Sequence, residues 1–314
     1  MKVLPLFYYP SHWLWIDDDQ LLLNCMMEVF GEKNAVTAFP SAQECIKSMK
    51  TYQAPLSCKN FLMSNIQDLS YGFLKHTPID FDVTLLADLA DDPARYQEIT
   101  VMVIDYDMPE MDGFALAQAL QHLPIQKILL TGKAEQSDAI AGFNTNLIHR
   151  FIQKGAFDAK ELIPRYLREL SIDYFRHISA PLLSYLETEA KLPLSDPVFI
   201  DFFENYCEAN NIKEYYLIDK QGSFLCIDDK QQRSCLVIQS DQGLDSWLTI
   251  YKDEEYLPDE ELALIQNRKK IPFFGIGKEG WQVDTSQWLN HLHSPDTLDG
   301  RSRYYWARVE LGLT

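Results

Sequence analysis

The run VMVIDYDMPEMDGF, from Val101 to Phe114, carries four apolar residues straight into Asp105. A second carboxylate, Asp107, follows two positions later, and then come Pro109 and the Asp112–Gly113 pair. An apolar run that ends in a carboxylate on a sharp turn is a buried strand whose end is put to use, or a strand end with a polar cap. Three other runs end in the same manner. Trp13–Ile16 stops at Asp17, Asp18 and Asp19, Ile128–Leu130 at Thr131, and Arg150–Gln153 at Lys154. If these runs are neighbouring strands, carboxylates, a hydroxyl and an ammonium meet along one sheet edge. Two carboxylates about 4 Å apart cost roughly 4 kcal/mol at an effective dielectric near 20. A divalent cation removes that cost, and a set of hard oxygens without His or Cys suits Mg²⁺. A carboxylate beside Mg²⁺ attacks a phosphoryl group and becomes an acyl phosphate. A lysine and a threonine hydroxyl at adjacent strand ends then hold the phosphoryl oxygens. This chemistry gives Asp105 a use: it is placed to be phosphorylated.

The elements that must deliver these residues alternate in type. Leu21–Phe30 has helical spacing and stops at Gly31. Ala35–Phe39 reads as a strand and Ser41–Met49 as the start of a helix. Thr84–Ala90, Gly113–Leu123 and Ser137–Phe143 read as helices. Strands alternating with helices predict a parallel sheet covered on both faces. Ligands of such sheets sit at the carboxyl ends of the strands. Residues around 50–98, with a Cys/Pro/Ser loop and the Tyr71–Gly72 pair, are excess length within this pattern.

From Ala159 to Lys191 apolar residues recur every three or four positions, through Leu162, Tyr166, Leu170, Tyr174, Ile178, Leu182 and Tyr185. This predicts one amphipathic helix, or two, because Pro164 and Pro181 should kink or break it. Pro193–Pro197 marks a boundary. Beyond it Phe199–Ala209 and Pro258–Lys269 read as helices. Glu214–Ile218, Ser223–Ile227, Ser234–Ile238, Ser246–Tyr251, Pro272–Ile276 and Tyr304–Leu311 read as strands. Clustered strands with segregated helices predict an α+β domain on an antiparallel sheet. The expected division is 10–158 for the first domain with its insertion, 159–192 for a helical connector, and 193–314 for the second domain.

The 314 residues carry a net charge of −18, and acidic residues outnumber basic ones in the C-terminal part as well. Phosphate backbones are bound by Lys and Arg on one face, so nucleic acid and anionic lipid are poor partners, and no DNA-binding motif is seen. Six cysteines without a CxxC pair read as reduced thiols of a cytoplasmic protein. The N-terminal MKVLPLFYYP lacks a cleavage site and does not read as a signal peptide, and no apolar run is long enough to span a membrane. His291 and His293 read as surface or interface residues. Trp247, Trp281, Trp288 and Trp306 read as core.

In order and element assignment, IDDD, VIDYDMPEMDG, LLTG and FIQKG resemble the receiver domain of two-component response regulators, over roughly residues 12–158. The resemblance implies a flavodoxin-like, doubly wound parallel sheet. It makes Asp105 the phosphoacceptor, Thr131 the switch hydroxyl, Phe151 the switch aromatic and Lys154 the phosphoryl-binding lysine. Asp18 and Asp105 would bind Mg²⁺ directly, Asp17 mainly through water, and Asp107 through its backbone carbonyl. A Lys133–Asp107 pair could screen the phosphoryl group. Sensor histidine kinases or small phosphodonors would supply that group, and phosphorylation would favour a homodimer. Two departures stand out. The interval from Asp17 to Asp105 is about twice the usual one, and Gly155 replaces the usual proline after the lysine, which puts the cis peptide normally found there in doubt. The stretches DPVFIDFFENYCEANNIKEYYLIDKQGSFLCID and NRKKIPFF resemble the output region of Lqs/Phc-type quorum-sensing regulators. The competing reading is a haloacid-dehalogenase-type phosphatase, with Asp105 as nucleophile and Asp107 as general acid.

Overall fold

The computed structural model describes residues 3–31, 36–55, 62–64, 79–132, 147–189, 193–253, 259–276 and 285–312. In chain order the elements are β1 (Phe7–Tyr8), β2 (His12–Ile16), α1 (Gln20–Phe30), β3 (Val36–Phe39), α2 (Ala42–Met49), β4 (Leu62–Ser64), β5 (Ile79–Phe81) and α3 (Leu85–Asp88). Next come β6 (Ile99–Asp105), α4 (Gly113–Ala119), β7 (Gln126–Thr131), β8 (Arg150–Gln153) and α5 (Ala159–Glu189). The rest are α6 (Pro197–Ala209), β9 (Ile212–Leu217), β10 (Phe224–Asp228), β11 (Arg233–Ser240), α7 (Asp241–Asp253), α8 (Asp259–Gln266), β12 (Ile271–Pro272), β13 (Leu292–His293), β14 (Asp296–Asp299) and β15 (Arg303–Glu310). They form two compact units, each discontinuous in sequence. One comprises Tyr9–Ser57 and Pro93–Ile178, the other Met1–Tyr8, Cys58–Asp92 and Ser179–Thr314.

The first unit is a five-stranded parallel sheet in the order β3-β2-β6-β7-β8. Side chains of a strand alternate between faces, and the two cores show it. Leu14, Ile16, Met102, Ile104 and Leu129 pack with residues of α2 and α4. Trp15, Val101, Val103, Ile128, Leu130 and Ile152 pack with Leu23 of α1 and with Ile163, Leu167 and Leu170 of α5. The helix α5 is a single helix through both Pro164 and Pro181. An interior proline costs about 3 kcal/mol. Ile163, Leu167, Leu170, Tyr174 and Phe175 are all buried along this helix. At roughly 1.5–3 kcal/mol each, their burial outweighs both prolines. The expected helix Ser137–Phe143 lies outside the described residues.

The second unit holds an antiparallel sheet in the order β1-β9-β10-β11-β15-β14. The aromatic side chains of Phe199 and Phe203 on α6 pack on it, with Phe203 edge-on to Tyr215 at 4.9 Å. The edge strand β1 pairs Phe7 with Tyr216 and Tyr8 with Tyr215, a role the sequence reading did not give to the N-terminus. Ser246–Tyr251, expected as a strand, lies within α7. Its buried Leu244 and Leu248 stand four apart, which is helical spacing. Ser240 caps the helix, accepting from the Gly243 amide at 3.0 Å. No described helix is long and apolar enough to cross a membrane.

Candidate functional site

Four of the predicted site residues stand at or just past carboxyl ends of the parallel sheet. Asp17 follows β2, Asp105 ends β6, Thr131 ends β7, and Lys154 follows β8. The three consecutive aspartates after β2 divide their labour. Asp17 is fully buried and accepts from the Asp19 amide at 2.9 Å. Asp19 caps α1, accepting from the amides of Leu21 and Leu22. Asp18 is exposed beside the site. Carboxylate oxygens of Asp17, Asp18 and Asp105 can lie within 4.8 Å of one another, the one such metal-ligating grouping among the described residues.

Asp105 is almost wholly buried, at 3% exposure. The turn after it is fixed by the Tyr106 amide donating to Leu130 at 2.8 Å and by the Gly113 amide donating to Tyr106 at 3.0 Å. This explains the Asp112–Gly113 pair, whose role the sequence reading left unassigned. Asp112 caps α4 by accepting from the Ala115 amide at 2.7 Å. A Cβ on Gly113 would stand 2.2 Å from the Asp105 carbonyl oxygen, so only glycine lets α4 begin this close to the strand end.

The Lys154 ammonium lies 2.7 Å from Asp17 Oδ2 and 2.9 Å from Asp105 Oδ1. Its own amide donates to the Thr131 carbonyl at 2.6 Å, which ties the ends of β7 and β8 together. Gly155 turns the chain with φ +80°, and no described peptide bond is cis, so the lysine is presented on a trans peptide. Burial raises the Asp105 carboxyl above its ordinary value, against the Lys154 contact and with the Asp17 charge adding to the rise. Burial alone would lower the Lys154 ammonium, but the two carboxylates outweigh it and hold it above its ordinary value.

The donor set fits a hard divalent cation. Asp17 Oδ2 and Asp105 Oδ1 are buried and face the Lys154 ammonium. Three carboxylates against one ammonium leave the site negative, and all its metal-ligating atoms are oxygens. Thr131 is buried at 2% exposure one strand away, and Phe151 is half-buried on β8 opposite Leu129. The Asp107 side chain is exposed and outside the acidic grouping. Lys133 and Trp281 lie outside the described residues. His291 contacts the Phe273 carbonyl at 3.3 Å and stacks on Phe274, and His293 pairs with Ile271 across β12 and β13. Trp288 is buried, and Trp306 packs on Phe202 at 5.0 Å.

No family model matches the sequence, and no curated protein matches it. Among solved structures, the Legionella pneumophila response regulator LqsR is similar over 98% of this chain and 90% of its own, with 26% identity and a TM-score of 0.77. The receiver domain of Francisella response regulator 1452 covers 53% of the chain at 18% identity and a TM-score of 0.32. A CheY-like receiver domain from Methanospirillum hungatei JF-1 covers 54% at 15% identity and a TM-score of 0.35. These span 98% of each receiver chain, but both superpose too loosely to bear on function. A five-stranded parallel sheet gathers Asp17, Asp105 and Lys154 at its carboxyl edge, on a chain that is similar nearly from end to end to the response regulator LqsR.

Proposed function

We propose that the chain accepts a phosphoryl group on Asp105 from a sensor histidine kinase, with Asp17, Asp18 and Asp105 holding Mg²⁺, and signals through the unit built on the antiparallel sheet. The observation that carries this reading is the Lys154 ammonium set between Asp17 and Asp105, one strand from Thr131. Mg²⁺, when bound, supplies positive charge to the carboxylates and to the incoming phosphoryl oxygens. Asp107 would add its backbone carbonyl to that set. An Asp105 oxygen attacks phosphorus, and the bond from phosphorus to the donor nitrogen breaks as the donor leaves with its electron pair. Lys154 then holds a phosphoryl oxygen in place of the Asp105 carboxylate, and the Thr131 hydroxyl donates to another. Drawing Thr131 inward frees space for Phe151 to follow, a local charge change that biases a two-state element.

The output is a change of partner. The acidic balance of both halves argues against DNA as that partner. The Lqs/Phc-like text of the C-terminal half favours a role in quorum sensing, and free thiols among the described cysteines fit a cytoplasmic setting. Self-association through the face beyond Thr131 is part of the same proposal. Wild type treated with acetyl phosphate and Mg²⁺ should gain label and sediment as a heavier species. Asp105→Asn, or EDTA with the wild type, should remove both effects. Label in Asp105→Asn at the wild-type level would move the phosphoacceptor elsewhere.

A further inference from the structure

The chain passes between its two units four times, at Tyr8–Tyr9, at 57–58, at Asp92–Pro93 and at Ile178–Ser179. Within the parallel-sheet unit, residues near these crossings meet in one cluster around Glu98, which is fully buried. Tyr174, just before the last crossing, donates its hydroxyl to the Glu98 carboxylate. Tyr52, just before the second, accepts from the Ile99 amide at 2.9 Å. Tyr9, just past the first, packs edge-on against Phe175 at 4.6 Å, and Phe175 packs against Tyr174. The Glu98 carbonyl accepts from the His12 amide at 2.8 Å. A line of hydroxyls repeats the junction one layer on. Ser11 meets Thr100 at 2.7 Å, Thr100 meets Ser171 at 3.1 Å, and the Trp13 indole donates to Ser171 at 3.1 Å. Burial first, and the Glu98 charge second, raise the hydroxyls of Tyr52 and Tyr174, so both stay protonated.

The same segments carry the acidic site at their other ends. The strand β2 runs from His12 to the turn at Asp17, and β6 runs from Ile99, next to Glu98, to Asp105. The helix α5, which holds Tyr174, starts just after Lys154. A strand of seven residues spans about 20 Å at roughly 3.3 Å per residue. Asp17 and Asp105 are thus each joined by a strand to the cluster where the chain leaves the unit.

We infer that the Glu98–Tyr174 cluster is the joint through which phosphorylation of Asp105 is passed to the antiparallel-sheet unit, with Tyr174 as its positioning residue. This rests on the phosphorylation reading above. A fully buried carboxylate is costly unless hydrogen-bonded, so a shift of β6 against α5 must move both partners together or break the bond. Hydrogen exchange on the full chain, with Mg²⁺ and with or without acetyl phosphate, tests it, the label on each sample being read by intact mass. In wild type, phosphorylation should change exchange in β9–β11 several-fold, beside the change in β7–β8. Tyr174→Phe should still be labelled and keep the β7–β8 change, but lose the one in β9–β11. Glu98→Gln, which keeps an acceptor for Tyr174, should retain most of it. Tyr52→Phe, a milder change, should weaken it and serves if Tyr174→Phe does not fold. A purely structural role would lower Tm yet leave the β9–β11 response in place, and that outcome overturns the joint. Labelled wild type with silent β9–β11 overturns it as well. Absence of label in wild type overturns the phosphorylation reading itself, and the joint with it.

Discussion

The two ends of the parallel sheet hold buried carboxylates in opposite ways. At the carboxyl end Asp17 and Asp105 share one ammonium, each through a buried oxygen. At the amino end Glu98 takes a tyrosine hydroxyl, in a cluster bordered by aromatic rings. The first arrangement is open to solvent at Asp18 and Lys154. The second meets its carboxylate with a neutral tyrosine hydroxyl. One set of strands thus carries a reactive edge and a fixed edge. The difference follows from charge: an ammonium can leave two carboxylates for a phosphoryl group, whereas a neutral hydroxyl bound to a buried carboxylate has nowhere better to go.

Substitutions at the reactive edge break this contrast most sharply. Gly113→Ala should be the most damaging, because its Cβ meets a backbone oxygen that cannot move without moving Asp105. We expect a loss of about 3 kcal/mol by chemical denaturation, the upper range for overpacking, together with loss of label. A loss below about 1 kcal/mol would mean that the start of α4 yields easily, and that the site is less rigid than its geometry implies. Next comes Lys154→Ala. Removing one partner of a buried ion pair costs roughly 3–5 kcal/mol, but Lys154 is partly open to water and the carboxylates can take up protons, so about 2 kcal/mol is expected. Mg²⁺ should then raise Tm more in Lys154→Ala than in wild type, because the cation no longer competes with the ammonium. Equal shifts in the two proteins would argue against a cation at Asp17 and Asp105.

The contrast also explains what a linear reading can find. Phosphoryl chemistry demands particular residue types at particular strand ends, so Asp17, Asp105, Thr131 and Lys154 stand out before any coordinates exist, and the parallel sheet follows from the alternation that spaces them. The amino-end cluster has no such signature. Tyr9, Tyr52, Glu98 and Tyr174 are far apart in sequence, and each resembles an ordinary core or surface residue. The strand Phe7–Tyr8 was illegible for a related reason: two residues carry no periodicity, and the partner is β9, some two hundred positions away. In Ser246–Tyr251 the mixture of apolar and polar residues satisfied a strand pattern locally. The cap at Ser240 and the i, i+4 pair Leu244 and Leu248 were the better signal. The glycine of VIDYDMPEMDG was visible, but its purpose required the Asp105 carbonyl to be in place.

The smallest expected effect lies at the amino end of the parallel sheet. Lys127 at the start of β7 is buried at 3% exposure, with its ammonium donating to the Ile125 carbonyl at 3.0 Å. Its amide donates to His149 Nδ1 at 3.0 Å, and the His149 amide donates back to the Lys127 carbonyl at 2.9 Å. Burial, followed by the charges of Lys127, Arg150 and His177, lowers the imidazole from 6.5 to about 4. Burial lowers the ammonium from 10.5 to about 8. In the unfolded chain both groups bind protons more readily. Stability contributed by neutral His149 is therefore full above pH 6.5 and is lost as pH falls toward about 4, while that of Lys127 is lost earlier, from pH 10.5 down to about 8. Between these windows neither group should tilt the curve. The full shift would be worth about 3 kcal/mol, but His149 is only half-buried and solvent screening cuts this to roughly 1 kcal/mol, so below pH 6.5 Tm should fall by a few degrees, at roughly 2–4 °C per kcal/mol for a domain of this size. His149→Gln should remove that part of the acid slope. Lys127→Met should reduce it too, because the charge that helps hold His149 neutral is gone and the imidazole rises toward its ordinary value. An acid slope in Lys127→Met as steep as in wild type would mean that burial alone sets the His149 proton, and that the Lys127 charge does not reach it.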